Sequence, residues 1–262
     1  MDKTDFSSVT EVVGYNVTKE QIERMYQRYR FASGFCKDKE VLEVACGSGQ
    51  GLGYIAKKAK RIVGGDVDEK LLNFAREQYQ GRANIEIKAF DAQELPFVDN
   101  SFDVVILYEA IYYLSQPGKF IKEAGRVLRK GGILLICTVN KAWADFNPSP
   151  YSYEYFSAPG LADLLSKGGF GDIKLYGGSK VENKTIKDVL ISCIKRTAVF
   201  FHLMPKTMKG KEVFKRIFMG KLYSMPSEIG DDIADYSQPE PIPLNQENYT
   251  YKVLYSVSFN LK

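Results

Sequence analysis

The chain has 262 residues, 45% of them hydrophobic and 26% charged, which excludes a chain disordered or fibrous throughout and leaves room for one large domain or two small ones. Its net charge of +4 is far from the strong basicity of a nucleic-acid binder, so no nucleic-acid partner is expected. The modest total conceals an asymmetry: residues 180–221 carry 11 Lys or Arg against 3 Asp or Glu, and residues 227–248 carry 6 acids and no base.

The N-terminus, MDKTDFSSVTEVVGY, has no basic start followed by an apolar run, and nowhere does a stretch of about 18 apolar residues occur. A cytoplasmic protein is expected, with neither a leader nor a membrane span. Cys36, Cys46, Cys137 and Cys193 form no C-x-x-C pair, so neither a zinc knuckle nor a disulfide framework is expected, and they read as core residues in a reducing compartment.

KEQIERMYQRYRFASGF (19–35) reads as a helix with Ile22, Met25, Tyr26, Tyr29 and Phe31 facing inward. Short apolar runs then alternate with amphipathic segments: strands VLEVA (41–45), RIVGGD (61–66), IEIKAF (85–90), FDVVILY (102–108) and GILLICTV (132–139), with helices GLGYIAKKA, EKLLNFAREQYQ and PGKFIKEAGRVLRK between them. Strands this continuously apolar need cover on both faces, which is the mark of a parallel sheet with right-handed helical crossovers. An aromatic, proline-marked loop (143–156) follows, then PGLADLLSKGGFGDIKLYGG as helix, glycine stop and strand, and YTYKVLYSVSFNL (249–261) as a last alternating strand. The expected fold is α/β: a doubly wound, seven-stranded, mostly parallel sheet. Around it we expect a helical cap over 1–38, a core over 39–179, a basic helical insertion over 180–226, and an acidic loop with the last strand over 227–262.

The sharpest local pattern is Glu43-Val-Ala-Cys-Gly-Ser-Gly-Gln-Gly, after a strand and before a helix. Gly47, Gly49 and Gly51 let the backbone turn tightly and approach a ligand at the carboxyl edge of the sheet. The second strand ends at Asp66, about 20 residues on, where a carboxylate can accept both hydroxyls of a ribose. The third runs into Asp91, placed to accept an exocyclic adenine amine. A carboxylate at Glu43 would repel a pyrophosphate and attract a sulfonium ligand that carries an ammonium.

Together, VLEVACGSGQG, GGDVD, FDAQELPFVDNSFDVVILYEAIYYL and RVLRKGGILLICTVN resemble, over residues 25–178, the class I S-adenosylmethionine-dependent methyltransferases of the type 11 domain group, whose core is a Rossmann-like sheet. RYRFA (28–32) is similar to bacterial members associated with glycan and cell-surface polysaccharide synthesis. The resemblance implies S-adenosyl-L-methionine as cofactor, with Glu43 facing its ammonium through the loop, Gly47 giving close backbone approach, Asp66 on the ribose, Val67 beside the adenine, Asp91 and Ala92 at its amine edge, and Tyr108 beside the methionine moiety. Ala45 stands where the family has a glycine, and is counted with the binding loop.

Acceptor chemistry belongs to the residues after the fourth strand. The Asn/Asp-Pro-Pro-aromatic motif of amine-methylating relatives is absent there, and NPSPY (147–151) is a decoy. Tyr112-Tyr113 stands where glycan-type relatives often carry Glu-His, so Glu109 is the candidate base. The single histidine, His202, sits among apolar neighbours and reads as a packing residue. Trp143, Phe146, Tyr151, Tyr153, Tyr155 and Phe156 form a candidate acceptor lid, half of them core-filling, with Tyr15, Tyr26 and Tyr29 opposite; Tyr29, Tyr112, Tyr151 and Tyr153 are the candidate acceptor contacts. The basic segment reads first as an amphipathic helix packed on the core, and second as a contact with anionic membrane. The expected reaction is methylation of a small molecule or carbohydrate at a hydroxyl; the alternatives are a quinone, lipid-like or polyketide acceptor, or a binding-only protein for S-adenosylmethionine or NAD. The sequence names neither the acceptor nor an oligomeric state.

Overall fold

The structure, a computed structural model, describes residues 11–149, 151–181 and 221–262. His202, Cys193 and residues 182–220 of the basic segment lie outside the described residues.

A short strand β1 (Asn16–Val17) leads into helix α1 (Lys19–Ala32). Thr18 caps α1: its hydroxyl accepts from Gln21 N, and the Gln21 side chain returns to the Thr18 N–H, satisfying two amides that the first turn leaves unpaired. Strands β2 (Glu40–Val44), β3 (Arg61–Asp66), β4 (Ile85–Ala89), β5 (Phe102–Tyr108) and β6 (Leu128–Val139) alternate with α2 (Leu52–Ala56), α3 (Glu69–Gln78) and α4 (Pro117–Val127). Then come α5 (Ala158–Lys167), β7 (Phe170–Lys180), β8 (Tyr223–Ser224), β9 (Glu240–Ile242) and β10 (Tyr251–Asn260). The main sheet has the order β4-β3-β2-β5-β6-β10-β7-β9. β2 to β6 run parallel, while β10 is antiparallel to β6 and β7, and β9 is antiparallel to β7.

Eight strands replace the expected seven. The extra one, Glu240–Ile242, lies inside the acidic stretch and is too short for alternation to show, and Pro241 suits it to the sheet edge it occupies. Alternate residues of each central strand enter opposite cores: Val41, Val104, Ile106 and Leu135 under α1, α2 and α3, and Leu42, Val105, Leu107 and Leu134 under α4 and α5. Both faces are therefore dry, as the unbroken apolar runs require. Cys36, Cys46 and Cys137 are free and buried; burial pushes the Cys36 thiol up to about 12, so it stays protonated packing material.

The acidic stretch is a strap as well as an edge strand. Just before it β8 pairs with β1 and Met225 is buried; within it Ile229 is buried, Glu228 bridges to Arg82 at 2.9 Å, and Asp231 accepts from the Tyr54 hydroxyl. Strand order reverses between β2 and β5, so a crevice opens beyond their carboxyl ends.

Candidate active site

Past Val44 the chain must leave the sheet within a few residues, and it does so through three left-handed positions: Ala45 (φ 57°), Gly47 (φ 57°) and Gly49 (φ 81°). Glycine adopts this conformation freely, whereas an alanine there costs about 1–2 kcal/mol. The family's usual glycine at position 45 thus has a backbone reason, and Ala45 is held against its preference. Of the three loop glycines only Gly47 faces the cavity beyond the strands. A Cβ on Gly51 would lie 1.9 Å from the Tyr29 ring, and one on Gly49 would lie 2.8 Å from the Ala75 Cβ. Those two glycines seat α1 and α3, and the expectation that they approach a ligand is corrected.

The cavity, about 860 Å³, runs from this loop to the aromatic loop. Asp66, at the end of β3, lines it and is tied in place: Oδ2 accepts from Gly47 N at 2.9 Å and Oδ1 from Asp68 N at 3.0 Å. Burial raises its pKa, and these backbone bonds oppose the rise. Val67, Asp91, Ala92 and Ala45 continue the same wall, with Val67 45% exposed, an apolar surface open to a flat ligand. Asp91 Oδ1 accepts from Gln93 N at 2.8 Å.

Glu43 is not on the wall. It lies 1% exposed under the loop, where its Oε1 accepts from the Tyr29 hydroxyl at 2.5 Å and its Oε2 has no partner. Burial raises its carboxyl to about 7; the Tyr29 hydroxyl lowers it and the Asp66 charge adds to the rise. An approach to Glu43 therefore passes through the loop backbone.

At the opposite side Tyr108, ending β5, stands edge-on to Tyr29 with ring centroids 5.8 Å apart, and its buried hydroxyl has no partner. Glu109 follows at φ 52°, in the left-handed region, its N–H donating to Cys137 O at 2.8 Å. A non-glycine residue forced there by the surrounding bonds is a mark of functional sites. Its Oε2 accepts from the Tyr112 hydroxyl at 3.0 Å. Tyr112 stacks on Tyr155 at 4.4 Å, and Tyr153 N donates to Tyr112 O at 2.7 Å, which ties the aromatic loop to the end of β5.

The aromatic loop divides evenly. Trp143, Tyr151 and Tyr153 line the cavity, the two tyrosines 55% and 70% exposed, while Phe146, Tyr155 and Phe156 pack into the core. Of the N-terminal tyrosines only Tyr29 reaches the cavity: Tyr26 packs edge-on against Tyr54 and Tyr15 is exposed elsewhere. Unforeseen wall residues are Arg24 and Arg28 on α1 and Lys252 on β10. Arg24 and Arg28 are four apart and flank Met25 and Tyr29, so the helical spacing carried a signal that they share the inward face.

Residues 42–136 match the family model of the methyltransferase domain. That match runs from β2 to β6. A protein of Mycolicibacterium smegmatis named "probable S-adenosylmethionine-dependent methyltransferase" is 34% identical over 154 residues, 56% of this chain and 57% of that protein. A ubiquinone biosynthesis O-methyltransferase of Sinorhizobium medicae is 25% identical over 187 residues, 68% of this chain and 73% of the relative. The solved structure of an S-adenosylmethionine-dependent methyltransferase from Thermotoga maritima shares the fold, with TM-score 0.52 and 18% identity over 92% of this chain and 95% of that one. The chain spans about half the length of several curated relatives it matches. The family-model match and the relatives named as S-adenosylmethionine-dependent imply S-adenosyl-L-methionine as the cofactor, and the solved structure shows a shared fold.

The residues present fit that group. Two buried oxygens, Glu43 Oε2 and the Tyr108 hydroxyl, lack partners at the loop and at the end of β5. The Gly47 amide, which a bound pyrophosphate would need, is already taken by Asp66. The strand ends supply carboxylates, which suits a cationic sulfonium better than a dinucleotide.

Proposed function

We propose that the protein transfers the methyl group of S-adenosylmethionine to a hydroxyl of a small molecule or carbohydrate. The observation that carries the reading is Glu109: a carboxylate on the cavity wall at the end of β5, in a left-handed conformation and hydrogen-bonded by Tyr112. Asp66 would hold the ribose, with Val67 and Ala92 beside the adenine and Asp91 at its amine. Gly47 would let the backbone approach, Ala45 shapes the turn, Tyr108 would sit beside the methionine moiety, and Glu43 would act from beneath the loop. When bound, the cofactor supplies an electrophilic methyl on a sulfonium, open to in-line displacement by an acceptor oxygen.

The chain's own residues then have three tasks. The rigid loop and strand ends align the reactants. Tyr29, Tyr151 and Tyr153 stack on or bond to the acceptor and displace water. Glu109 takes the acceptor's hydroxyl proton while the Tyr112 hydroxyl keeps Oε2 oriented. An acceptor related to quinones is the second reading, supported by the ubiquinone-pathway relative and by a rim of aromatic rings that suits a flat apolar molecule as well as a sugar.

Incubation with methyl-labelled S-adenosylmethionine and a panel of phenols, sugars and hydroquinones tests the reading. Label in an alkali-stable ether supports it; label only in amines, or cofactor bound and never turned over by any acceptor class, refutes hydroxyl transfer.

A further inference from the structure

Among the other described arginines, Arg30 lies over the Tyr236 ring and five end on carboxylates at hydrogen-bond distance: Arg61 on Glu40 at 3.0 Å, Arg76 on Glu69 at 2.7 Å, Arg82 on Glu228 at 2.9 Å, Arg126 on Glu123 at 2.7 Å and Arg129 on Asp103 at 2.8 Å. The cavity wall made by α1 and β10 breaks this habit. Arg24, Arg28 and Lys252 all line the cavity, and among the described residues each has only a long ion pair. Arg24 lies 3.9 Å from Glu20, Arg28 lies 3.7 Å from Glu11, and Lys252 lies 3.8 Å from Glu20. Arg24 Nε and the indole N–H of Trp143 are buried with no hydrogen-bond partner, and the Lys252 ammonium sits over the Trp143 ring at 5.8 Å.

The Arg28 side chain is only 12% exposed. A guanidinium has five N–H donors and keeps its proton, so leaving those donors unused in a nearly dry site is costly unless a ligand completes them. The opposite wall carries Asp66 and Asp91, with Glu43 beneath it. Glu11, Glu109 and Asp145 also line the cavity, and Glu11 and Glu109 act on the Arg28 charge, so the bias is local: a cationic sulfonium is favoured at the loop, and an anion is favoured where the N–H donors of Arg24, Arg28 and Trp143 stay, among the described residues, without a hydrogen bond.

We propose that this second wall binds an oxyanion of the methyl acceptor, so that the acceptor is an organic acid bearing a carboxylate, or a group of like charge and shape, in addition to the hydroxyl that reacts. The inference rests on the methyltransferase reading and narrows it. Arg24 and Arg28 give a forked, directional pair of donors, Lys252 a point charge, and the Trp143 N–H a neutral donor. A neutral alcohol of the same shape leaves all of them unpaired, and that difference is what discriminates.

The cofactor carries a carboxylate too, so the test separates the two sources. Trp143 is the only tryptophan, and its fluorescence reports from this wall. The full protein saturated with S-adenosylhomocysteine is titrated with benzoate and, in parallel, benzamide, as wild type and as the Arg24→Gln/Lys252→Gln double variant. The expected result is a saturable response to benzoate, about tenfold weaker in the double variant, with no response to benzamide and S-adenosylhomocysteine affinity within about twofold of wild type. Equal responses to benzoate and benzamide, or a benzoate response unaltered in the double variant, would overturn the proposal. So would a loss of S-adenosylhomocysteine affinity in Arg28→Gln or the double variant with methylthioadenosine affinity intact, since the wall would then belong to the cofactor's carboxylate. A wild type that binds no S-adenosylhomocysteine would overturn the methyltransferase reading and this inference with it.

Discussion

The two long walls of the cavity are finished to different degrees. On the loop wall the polar groups are mostly spoken for: Asp66 holds Gly47 and Asp68, Tyr29 holds Glu43, and Gly49 and Gly51 are filled by Ala75 and Tyr29. On the wall of α1 and β10, three cations have, among the described residues, only long ion pairs, and an indole N–H has no hydrogen-bond partner. A preorganised wall suits a ligand of constant shape, and an uncommitted wall suits the variable partner whose groups complete it. On the proposed reading, cofactor binding falls to the first wall and acceptor specificity to the second.

The largest expected effect falls between the two walls. Glu109→Gln keeps shape and hydrogen bonding but cannot take a proton, so the rate of label transfer should fall about 10²–10³-fold while calorimetry finds S-adenosylhomocysteine affinity within about twofold. An unchanged rate would remove Glu109 from the chemistry.

Next is the buried carboxyl of Glu43. Its pKa in the ligand-free protein is raised from 4.5 to about 7 by burial, so the folded protein holds this proton more tightly than the unfolded chain. The contribution is fully present below about pH 4.5 and is lost as pH rises through 7, about 3 kcal/mol in all. Wild type should therefore show a declining contribution to Tm between pH 5 and pH 8 that Glu43→Gln lacks. Parallel profiles for the two proteins would show that the carboxyl is not buried as described.

On the loop wall Asp66→Ala removes two backbone anchors and the proposed ribose contact. S-adenosylhomocysteine affinity should fall about 10–100-fold, read by calorimetry, and normal affinity would refute the ribose role. The smallest effect is a gain: Ala45→Gly relieves the left-handed alanine and should stabilise by up to about 1 kcal/mol, seen as a Tm rise of about 2–4 °C. A lower Tm would mean that the alanine side chain contributes packing worth more than its strain.

The loop wall was largely legible in the sequence because its parts are local. Asp66 and Asp91 are read from where strands end, and Gly47 from a turn beside one. What the sequence left unread depends on docking. Gly51 and Tyr29 are 22 positions apart and meet only because α1 crosses the loop, so Gly51 looked like a ligand contact. Glu43 is near the cavity in sequence terms but is sealed under it by the same tyrosine. Arg24, Arg28 and Lys252 come from the two ends of the chain and converge only after β10 inserts beside β6. The strand Glu240–Ile242 was missed because three residues with a central proline carry no period.

The most direct test of the central claim is calorimetry of the wild-type protein with S-adenosylhomocysteine and with NAD. Micromolar binding of S-adenosylhomocysteine with no heat from NAD is the predicted result. Binding of NAD with S-adenosylhomocysteine silent would contradict it, because the loop would then hold a pyrophosphate on the amide that Asp66 now occupies.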